Sequence, residues 1–473
     1  MSRKGNLAKN TLILSIGTFL PKLAGFITLP ILTGCLSKKE YGTYDLITVL
    51  VSLLLPAVTL QIKAAAFRFL LEVRENKDKQ KKIITNIFVV TVPVSLIALA
   101  VLYFVLSLCI PQSDPAIRLW ICGYYLADIL VNTVRQISRG IGKNMPYSIS
   151  AVISSLGKMV FAVLLVWYMK WGLLGGVIAL CMASLFSLIY IAFRIRVFSL
   201  IDFRLIDRKS IGSMLNYSWP MVPNEMSLWV MNVSDRFIVT KVLGVTVNAV
   251  YAAATKIPSL INLAQSALTL AWQENASISA KDKDSGSYYT EMFKTMMNLQ
   301  SGVFSAIIAS MPVLFRLLIK GDYGDAYNQM PILCYAIFFQ GMAVYLGGIY
   351  VAKMATKSVG ITSVCSAAVN IAVNLSLIHF IGIFAASIST LVSYIALFTY
   401  RVFDVQKLAK IKMDVKQFIL LNCIMLVDVA LCYQRTLVCN IINAVIGYSV
   451  CIILNKQIVL AVLKKLGIVK KKG

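Results

Sequence analysis

Three lysines lie inside long apolar segments of this sequence, where a cation is costly. Lys22 is near the middle of a segment of approximately residues 11–34, and Lys158 and Lys256 lie in segments 147–169 and 246–272. A cation at the centre of a membrane-spanning helix costs about 2.5–3.5 kcal/mol on insertion scales. A lysine ammonium at such a depth can offset the charge of a phosphate or another anion, as a point charge rather than a bidentate clamp. We therefore interpret these lysines as candidate anion-binding residues that face a wet cavity.

Two carboxylates lie at comparable depth, Asp128 in segment 116–135 and Glu225 in segment 213–234. Either could bind Na⁺ or H⁺, and the sequence does not choose between these ions. Asp128 also has a structural interpretation, as the ion-pair partner of Lys158 on the next predicted helix. We interpret Asp428 as structural or peripheral, because its segment comes after the first twelve.

Polar residues accompany these charges on single faces of the predicted helices. In the first segment they recur at intervals of three and four residues, and the same spacing in the eighth includes Asn262 and Gln273. Asn370 and Asn374 are one helical turn apart in the eleventh segment. Such faces do not point to lipid, so we expect them to meet other helices or a wet cavity. Small polar residues also serve in ordinary helix packing, but the lysines favour the cavity.

The elements that must position these residues are membrane-spanning helices. Of the 473 residues, 59% are hydrophobic and only 14% are charged. Soluble domains carry about 25% charged residues. We therefore predict an all-α polytopic membrane protein with about fourteen transmembrane helices. The predicted segments are 11–34, 43–62, 84–109, 116–135, 147–169, 172–194, 213–234, 246–272, 297–319, 328–352, 359–379, 382–403, 417–434 and 437–459.

The basic residues fall mostly between the apolar segments. With the N-terminus in the cytoplasm, 34 of the 46 Lys and Arg residues lie in predicted cytoplasmic segments and 8 in predicted outer segments. This bias predicts that both termini are cytoplasmic. It also indicates that the net charge of +26 reflects membrane topology rather than nucleic-acid binding.

The predicted helices fall into two sets of six and a final pair. We predict an N-terminal lobe at 1–195, a cytoplasmic inter-lobe linker at 196–212 and a C-terminal lobe at 213–403. Residues 404–473 then hold two further helices and a basic cytoplasmic tail. Because six is an even number, the two lobes would form a parallel repeat. The similar stretches LSKKEYGTY and LGVTVNAVY, at equivalent points of the two lobes, favour this interpretation.

The sequence contains no pattern that is typical of a catalytic or metal-binding site. The ten cysteines form no CxxC pair, and His379 is the one histidine. We therefore predict no catalytic residue, no metal and no cofactor other than a coupling Na⁺ or H⁺.

Two stretches of the sequence resemble a known family of transporters. The first stretch is residues 20–46, LPKLAGFITLPILTGCLSKKEYGTYDL, which contains the pattern L-x₄-Y-G-x-Y. The second is residues 234–257, SDRFIVTKVLGVTVNAVYAAATKI. It contains the pattern D-R-x₆-L-G-x₆-Y, which begins with Asp235 and Arg236. They resemble Wzx-type O-antigen, capsule and exopolysaccharide flippases of the multidrug/oligosaccharidyl-lipid/polysaccharide (MOP) superfamily. The resemblance implies two six-helix lobes around a central cavity, alternating access and a bacterial plasma-membrane location.

The resemblance also implies the substrate, an oligosaccharide on undecaprenyl diphosphate that moves to the outer leaflet for surface polysaccharide or lipopolysaccharide biosynthesis. Lys22 and Lys256 match positions where relatives such as lipid II flippases carry basic residues, although arginine is more usual there. A diphosphate needs cations where it leaves water, which agrees with these lysines. The expected partners are this lipid-linked oligosaccharide, membrane lipids and polysaccharide polymerase or assembly proteins, with no nucleic acid. The candidate substrate-binding residues are Lys22, Lys256, Glu225, Lys158, Asp128, Asp235, Arg236, Asn262, Gln273, Asn370 and Asn374.

Three other classes of protein have many spans. A MATE-like cation or drug antiporter of the same superfamily would favour an acidic cavity, whereas three lysines here accompany two carboxylates. A membrane polysaccharide polymerase or ligase needs a substantial outer loop for catalysis, and the predicted outer loops are short. A scaffold would not need charges within its spans. Trp219 and Trp272, at predicted cytoplasmic ends of segments, are interpreted as interfacial-belt residues or, alternatively, as platforms that stack on a sugar.

Overall fold

The computed structural model describes residues 21, 24–109, 114–219, 221–262, 265, 272, 276, 285–353 and 355–456. Every regular element in these residues is helical. The helices are α1 (Ala24–Cys35), α2 (Lys38–Val58), α3 (Ile62–Glu72), α4 (Lys77–Cys109), α5 (Pro115–Gly140), α6 (Asn144–Ala162), α7 (Gly172–Ile195), α8 (Arg208–Ser218), α9 (Met221–Leu243), α10 (Val245–Ala254), α11 (Ser285–Leu318), α12 (Gly324–Ala352), α13 (Thr356–Ile381), α14 (Phe384–Asp404), α15 (Val415–Gln434) and α16 (Leu437–Leu454).

The prediction of an all-α polytopic membrane protein is confirmed. Within the described residues, nine helices are long and apolar enough to cross a membrane. They correspond to predicted segments three, five, six and nine to fourteen. The fourth segment is α5, a helix of 26 residues that carries several charges. Helices of this kind satisfy their own backbone hydrogen bonds, which a lipid environment requires.

The second predicted segment ends sooner than expected. The helix is interrupted between α2 and α3, where Leu60 and Gln61 have positive φ angles of 46° and 54°. Such a backbone conformation is uncommon outside glycine, so the break is a local departure from the helix rather than a bend within it. α2 itself begins with a capping box, in which Ser37 and Glu40 exchange hydrogen bonds with each other's backbone N–H groups.

The predicted segments 213–234 and 246–272 are each divided in the structure. The first is divided between α8 and α9, and Pro223 lies in the first turn of α9, where a proline is tolerated. In the second, α10 ends at Ala254 and a turn covers residues 255–258 before the helix resumes. Lys256 lies in this turn rather than within a continuous helix.

Residues Met1–Val233 form one compact unit. Its central helix is α5, which packs against α3, α4 and α7. One apolar core joins buried residues of α4, α5 and α7, including Ile84, Val131 and Ile191. A second core surrounds Tyr125.

Residues Ser234–Gly473 form the second unit. In it α12 and α13 pack against α14, while α11 packs against α16 and α15. The division into units falls between Val233 and Ser234, inside α9. The predicted lobe boundaries at 195 and 213 remain a prediction.

The predicted linker 196–212 is hydrogen-bonded to α4 within the first unit. The Asp202 N–H donates to the Thr85 hydroxyl at 2.9 Å, and the Asp207 N–H donates to Asn86 Oδ1 at 3.0 Å. Thr85 and Asn86 are fully buried. Lys82 Nζ lies 2.7 Å from Asp207 Oδ2. Side-chain and backbone contacts therefore hold this segment in place along the first turns of α4.

Candidate functional site

The structure describes most, but not all, of the eleven candidate residues. Lys22 and Gln273 lie outside the described residues, and only the helical backbone of Glu225 is described, in α9. The candidates with described side chains are Asp128 and Lys158 in the first unit, and Asp235, Arg236, Lys256, Asn262, Asn370 and Asn374 in the second.

Asp235 lies at the centre of a polar cluster in the second unit. Its side chain, on α9, is 4% exposed. The carboxylate accepts hydrogen bonds from the Tyr251 hydroxyl of α10 at 3.0 Å, from Asn374 Nδ2 of α13 at 2.8 Å and from the Thr390 hydroxyl of α14 at 2.7 Å. Four helices therefore converge on one buried carboxylate. We call Asp235, Tyr251, Asn374 and Thr390, together with Asn370, the Asp235 centre.

Asn370 completes the centre one turn before Asn374. Its Nδ2 lies 3.4 Å from the Thr390 hydroxyl, and its Oδ1 accepts from the Ser234 hydroxyl at 3.3 Å. Asn374 Oδ1, in a fully buried side chain, has no hydrogen-bond partner. The polar face predicted from Asn370 and Asn374 thus points inward, at a carboxylate.

The electrostatics of the Asp235 centre are those of a negative charge held by neutral donors. Burying an ionised carboxylate costs several kcal/mol, and each hydrogen bond to it returns about 1.5–3 kcal/mol. The three donors are a phenol, an amide and an alcohol, so they supply hydrogen bonds but no positive charge. A proton or a monovalent cation would supply that charge, with the free Asn374 Oδ1 as a further oxygen ligand.

The other candidates of the second unit make different contacts. Arg236 Nη2 donates to the hydroxyl of Thr255, the residue that follows α10, at 3.2 Å. Lys256 is half-buried in the turn after α10, and its carbonyl accepts from the Ser259 hydroxyl at 2.6 Å. Asn262 is half-buried in the helix that follows. The contacts of Arg236 with Thr255 and of Lys256 with Ser259 lie outside the Asp235 centre.

In the first unit, Asp128 and Lys158 do not form the direct ion pair that the sequence allowed. Asp128 Oδ2 accepts from Asn132 Nδ2 of its own helix at 3.0 Å. Lys158 Nζ instead lies 5.8 Å from the centre of the Tyr124 ring. A cation over an aromatic face is stabilised by the ring quadrupole. Asp128 and Lys158 still interact through space, at more than contact distance.

Arg135 is a cation that the sequence pattern did not single out, because it is the last residue of predicted segment 116–135. Its Nε and Nη2 donate to the hydroxyl and carbonyl of Ser150, both at 2.9 Å, and Nη2 also donates to the Ser187 hydroxyl at 2.9 Å. The two serines are fully buried, on α6 and α7. Regular spacing of Asp128 and Arg135, seven residues apart on α5, was the signal available in the sequence.

Arg401 is a second cation that the sequence pattern did not single out, because it lies near the end of predicted segment 382–403. The residue is 3% exposed. It donates to the Ala343 carbonyl at 2.8 Å, to the Thr362 hydroxyl at 3.0 and 3.1 Å and to the Ser363 hydroxyl at 3.2 Å. Arg401 thereby ties α14 to α12 and α13. Its partners are all neutral and nearly saturate the guanidinium, so we assign it a structural role.

Trp272 is not available to stack on a sugar. It is 3% exposed, its ring stacks on Tyr345 with centroids 4.2 Å apart, and its Nε1–H donates to the Tyr345 carbonyl at 2.9 Å. Gly348 permits this arrangement, since a Cβ there would clash with the indole. Trp219, by contrast, is 59% exposed, which agrees with an interfacial position.

The oxygen atoms of the Asp235 centre also limit which cation it could bind. Among the described residues there is no group of three His, Cys, Asp or Glu side chains that could hold a metal ion. One carboxylate with amide and hydroxyl oxygens is a hard, weakly charged set, which suits Na⁺ or H⁺ better than a transition metal.

The helical bundles, with buried charges on apolar helices, define a polytopic membrane protein. The profile of the family described as "Polysaccharide biosynthesis protein" matches residues 7–272. The chain belongs to this family.

The fold is similar to those of several solved transporters and flippases. The lipid II flippase MurJ, in an inward closed conformation, is 16% identical over 96% of this chain and 100% of its own, with a TM-score of 0.73. An inward-facing MATE multidrug resistance transporter is 12% identical over 84% of this chain and 98% of its own, with a TM-score of 0.72. A MOP transporter from Pyrococcus furiosus, 13% identical over 85% and 95% of the two chains, has a TM-score of 0.57.

The comparison with curated proteins gives no match. Family, fold and apolar helices together make this chain a multi-pass cell-membrane protein of the polysaccharide biosynthesis family.

Proposed function

We propose that this protein is a flippase that moves oligosaccharides linked to undecaprenyl diphosphate from the cytoplasmic to the outer leaflet by alternating access. The product would enter the biosynthesis of a surface polysaccharide, such as O-antigen, lipopolysaccharide or capsule. Polymerase or assembly proteins would receive it there. We assign the chain no chemical reaction. Membership of the polysaccharide biosynthesis family and the fold shared with a lipid II flippase support this proposal.

The observation that carries the proposal is the environment of Lys158. Its ammonium lies in an apolar helix, 5.8 Å from the Tyr124 ring centre and without a direct carboxylate contact. Because no carboxylate of the described residues contacts this ammonium, it can pair with an incoming anion, and a diphosphate is such an anion. The membrane potential favours the same direction of movement. Each charge gains about 2.3 kcal/mol per 100 mV when an anion leaves an inside-negative cell, roughly 4–5 kcal/mol for a diphosphate.

The Asp235 centre supports a coupling role for Na⁺ or H⁺. Asp128 and Glu225 were the carboxylates that the sequence suggested, but Asp235 is the one with three neutral donors and a free amide oxygen beside it. A cation or proton bound there would neutralise the carboxylate. Asp235→Asn should therefore make transport insensitive to a Na⁺ or pH gradient, whereas retained gradient dependence would exclude Asp235 from coupling.

A second candidate function is a MATE-like cation or drug antiporter. The similarity to MATE structures and the buried Asp235 carboxylate favour it, since acidic residues bind cationic substrates. The half-buried Lys158 and Arg135 oppose it, because they place positive charge among the helices of the first unit.

A reconstituted flipping assay tests the proposal. Proteoliposomes would contain the full chain and a fluorescent oligosaccharide on undecaprenyl diphosphate, and a membrane-impermeant quencher would report the accessible leaflet. We expect Lys158→Gln to lower the flipping rate roughly tenfold or more, which corresponds to the loss of about 1.4 kcal/mol of interaction free energy with the diphosphate. Lys158→Arg should retain much of the rate, because charge is the required property.

Lys77→Gln is the matched control, because Lys77 is exposed at the start of α4 and should not contribute to binding. Equal rates for wild type and Lys158→Gln would contradict the anion-binding role. Export of a cationic dye by wild type, with no flipping of the lipid-linked sugar, would favour the antiporter instead.

A further inference from the structure

Asp428 is a second buried carboxylate, and its surroundings differ from those of Asp235. It lies on α15 and is fully buried, yet neither carboxylate oxygen has a hydrogen-bond partner. The Asp235 carboxylate, in the same unit, accepts three hydrogen bonds. A fully ionised Asp428 would therefore be a buried charge without compensation.

Two neighbouring helices contribute polar groups that are also unsatisfied. Asn443 of α16 is 2% exposed, and its Nδ2 donates to the Asp428 carbonyl at 3.1 Å while its Oδ1 has no partner. Ser305 of α11 is fully buried, and its hydroxyl interacts with the Asp428 carboxyl without reaching hydrogen-bond geometry. We call Asp428, Asn443 and Ser305 the Asp428 centre.

The packing of α16 on α11 encloses this centre. Gly447 lies one turn after Asn443, and a Cβ there would be 2.6 Å from the Ser305 carbonyl and 2.8 Å from Ala309 Cβ. The two helices therefore approach closely through a small residue, as is common in membrane bundles. Lipid and bulk water are kept away from the centre, because Asp428 and Ser305 have no exposed surface.

We propose that the Asp428 centre is a proton-binding site, and that Asp428 carries its proton in the resting protein. An ionised carboxylate only accepts hydrogen bonds, so it cannot pair with the acceptor Asn443 Oδ1. A protonated carboxyl has one O–H donor and keeps its acceptor capacity. That O–H can donate to Asn443 Oδ1, while the other carboxyl oxygen stays an acceptor facing the neighbouring Ser305 hydroxyl. One proton thus removes the uncompensated charge and gives the Asn443 acceptor a donor.

The charged and titratable neighbours do not replace that proton. Within the described residues, the titratable group that interacts with Asp428 is Cys432, one turn further along α15. Cys432 in turn contacts the Tyr327 hydroxyl of α12 at 3.2 Å and interacts with Arg435. From α11 and α16, Asp428 meets Ser305 and Asn443, which are neutral. Loss of the proton would place a net negative charge between α11, α15 and α16 and weaken their packing. This inference does not depend on the transported substrate.

Infrared difference spectroscopy of the full chain in membranes tests the proposal, because it detects a protonated carboxyl without a reagent having to reach it. Titration from acidic to alkaline pH should remove the C=O stretching band of a buried protonated carboxyl, and Asp428→Asn should lack this band at every pH. Asp414→Asn changes an exposed carboxylate at the start of the same helix, so it is the control and should keep the band. A spectrum of Asp428→Asn that equals the wild-type spectrum throughout the titration would overturn the proposal.

A variant comparison separates protonation from simple packing. Asp428→Asn copies the shape and neutrality of the protonated carboxyl, so we expect its Tm to match wild type at acidic pH and to exceed it at alkaline pH. Asp428→Leu, which cannot hydrogen-bond, should lower the Tm at both pH values. Equal losses for the Asn and Leu variants would contradict the proposal. Loss of the carboxyl band on addition of Na⁺ at constant pH would also overturn it, in favour of a metal cation.

Discussion

Tyr251 donates its hydroxyl to the Asp235 carboxylate at 3.0 Å, and this contact explains the D-R-x₆-L-G-x₆-Y pattern in physical terms. The two residues lie on consecutive helices, α9 and α10, which Gly244 joins. Gly244 has a φ of +95°, a conformation that favours glycine. The turn folds α10 back so that a tyrosine sixteen residues after the aspartate reaches it.

Tyr251→Phe should therefore destabilise the second unit. The change removes one donor to a buried carboxylate, which costs about 1–3 kcal/mol, so we expect a lower Tm. Thermal unfolding in detergent measures the effect. Tyr103→Phe is the matched control, because Tyr103 is 43% exposed. Equal Tm values for Tyr251→Phe and wild type would mean that this hydrogen bond contributes little.

Lys22→Ala and Lys256→Ala should each abolish surface polysaccharide while the protein still inserts into the membrane. Removal of a cation deprives the diphosphate of compensation in a low-dielectric site. Lys22→Arg should retain substantial activity, since charge rather than side-chain geometry is required. The measurement is surface polysaccharide in cells, normalised to the amount of protein in membranes. Normal polysaccharide in either alanine variant would exclude that lysine from the substrate path.

Gly447→Ala should loosen the contact between α16 and α11. The new methyl group would meet the Ser305 backbone carbonyl at 2.6 Å, and overpacking of this kind costs about 1–3 kcal/mol. Gly360→Ala is the matched control in α13, because nothing lies within 4 Å of a Cβ there. That control should be neutral or raise the Tm, as glycine is a poor helix former. If both variants have the same Tm, close packing at Gly447 is not required.

The attachment of residues 201–209 to α4 should weaken in acid. The side-chain hydrogen bond from Lys82, followed by the Lys209 N–H, lowers the pKa of Asp207. A lowered pKa means that the stabilisation is present at neutral pH and is lost as the pH falls through the folded-state pKa, below about 4. Asp207→Asn should reproduce the loss at neutral pH as faster amide hydrogen exchange at Asp207 and Lys209. Unchanged exchange would show that the backbone contacts with α4 suffice.

Much of the helical architecture could be predicted from the sequence. An apolar run of spanning length must satisfy its own backbone hydrogen bonds in lipid, so runs such as 437–459 correspond to helices such as α16. The breaks were harder to predict, because Leu60 and Gln61 carry no glycine or proline signal at their positive φ angles. The turn at 255–258 interrupts a segment whose hydropathy is continuous.

The partners of the polar residues could not be predicted. Asn374 and Thr390 are 139 and 155 positions from Asp235, and no local spacing relates residues so far apart. Arg135 and Arg401 were placed at membrane boundaries because counting charges does not reveal which side chains point inward. Trp272 was open to two interpretations until its stacking on Tyr345 placed it in a core.

The sequence by itself determined which segments become helices, where a charge is costly and which family motifs are present, because these depend on local composition and on the physics of lipid. Only the tertiary structure decided that Asp235 is held by Tyr251, Asn374 and Thr390. It also decided that Lys158 meets an aromatic ring rather than Asp128, and that Asp428 is buried without a donor. Those outcomes depend on how helices from distant parts of the chain pack, and packing decides which polar atoms find partners.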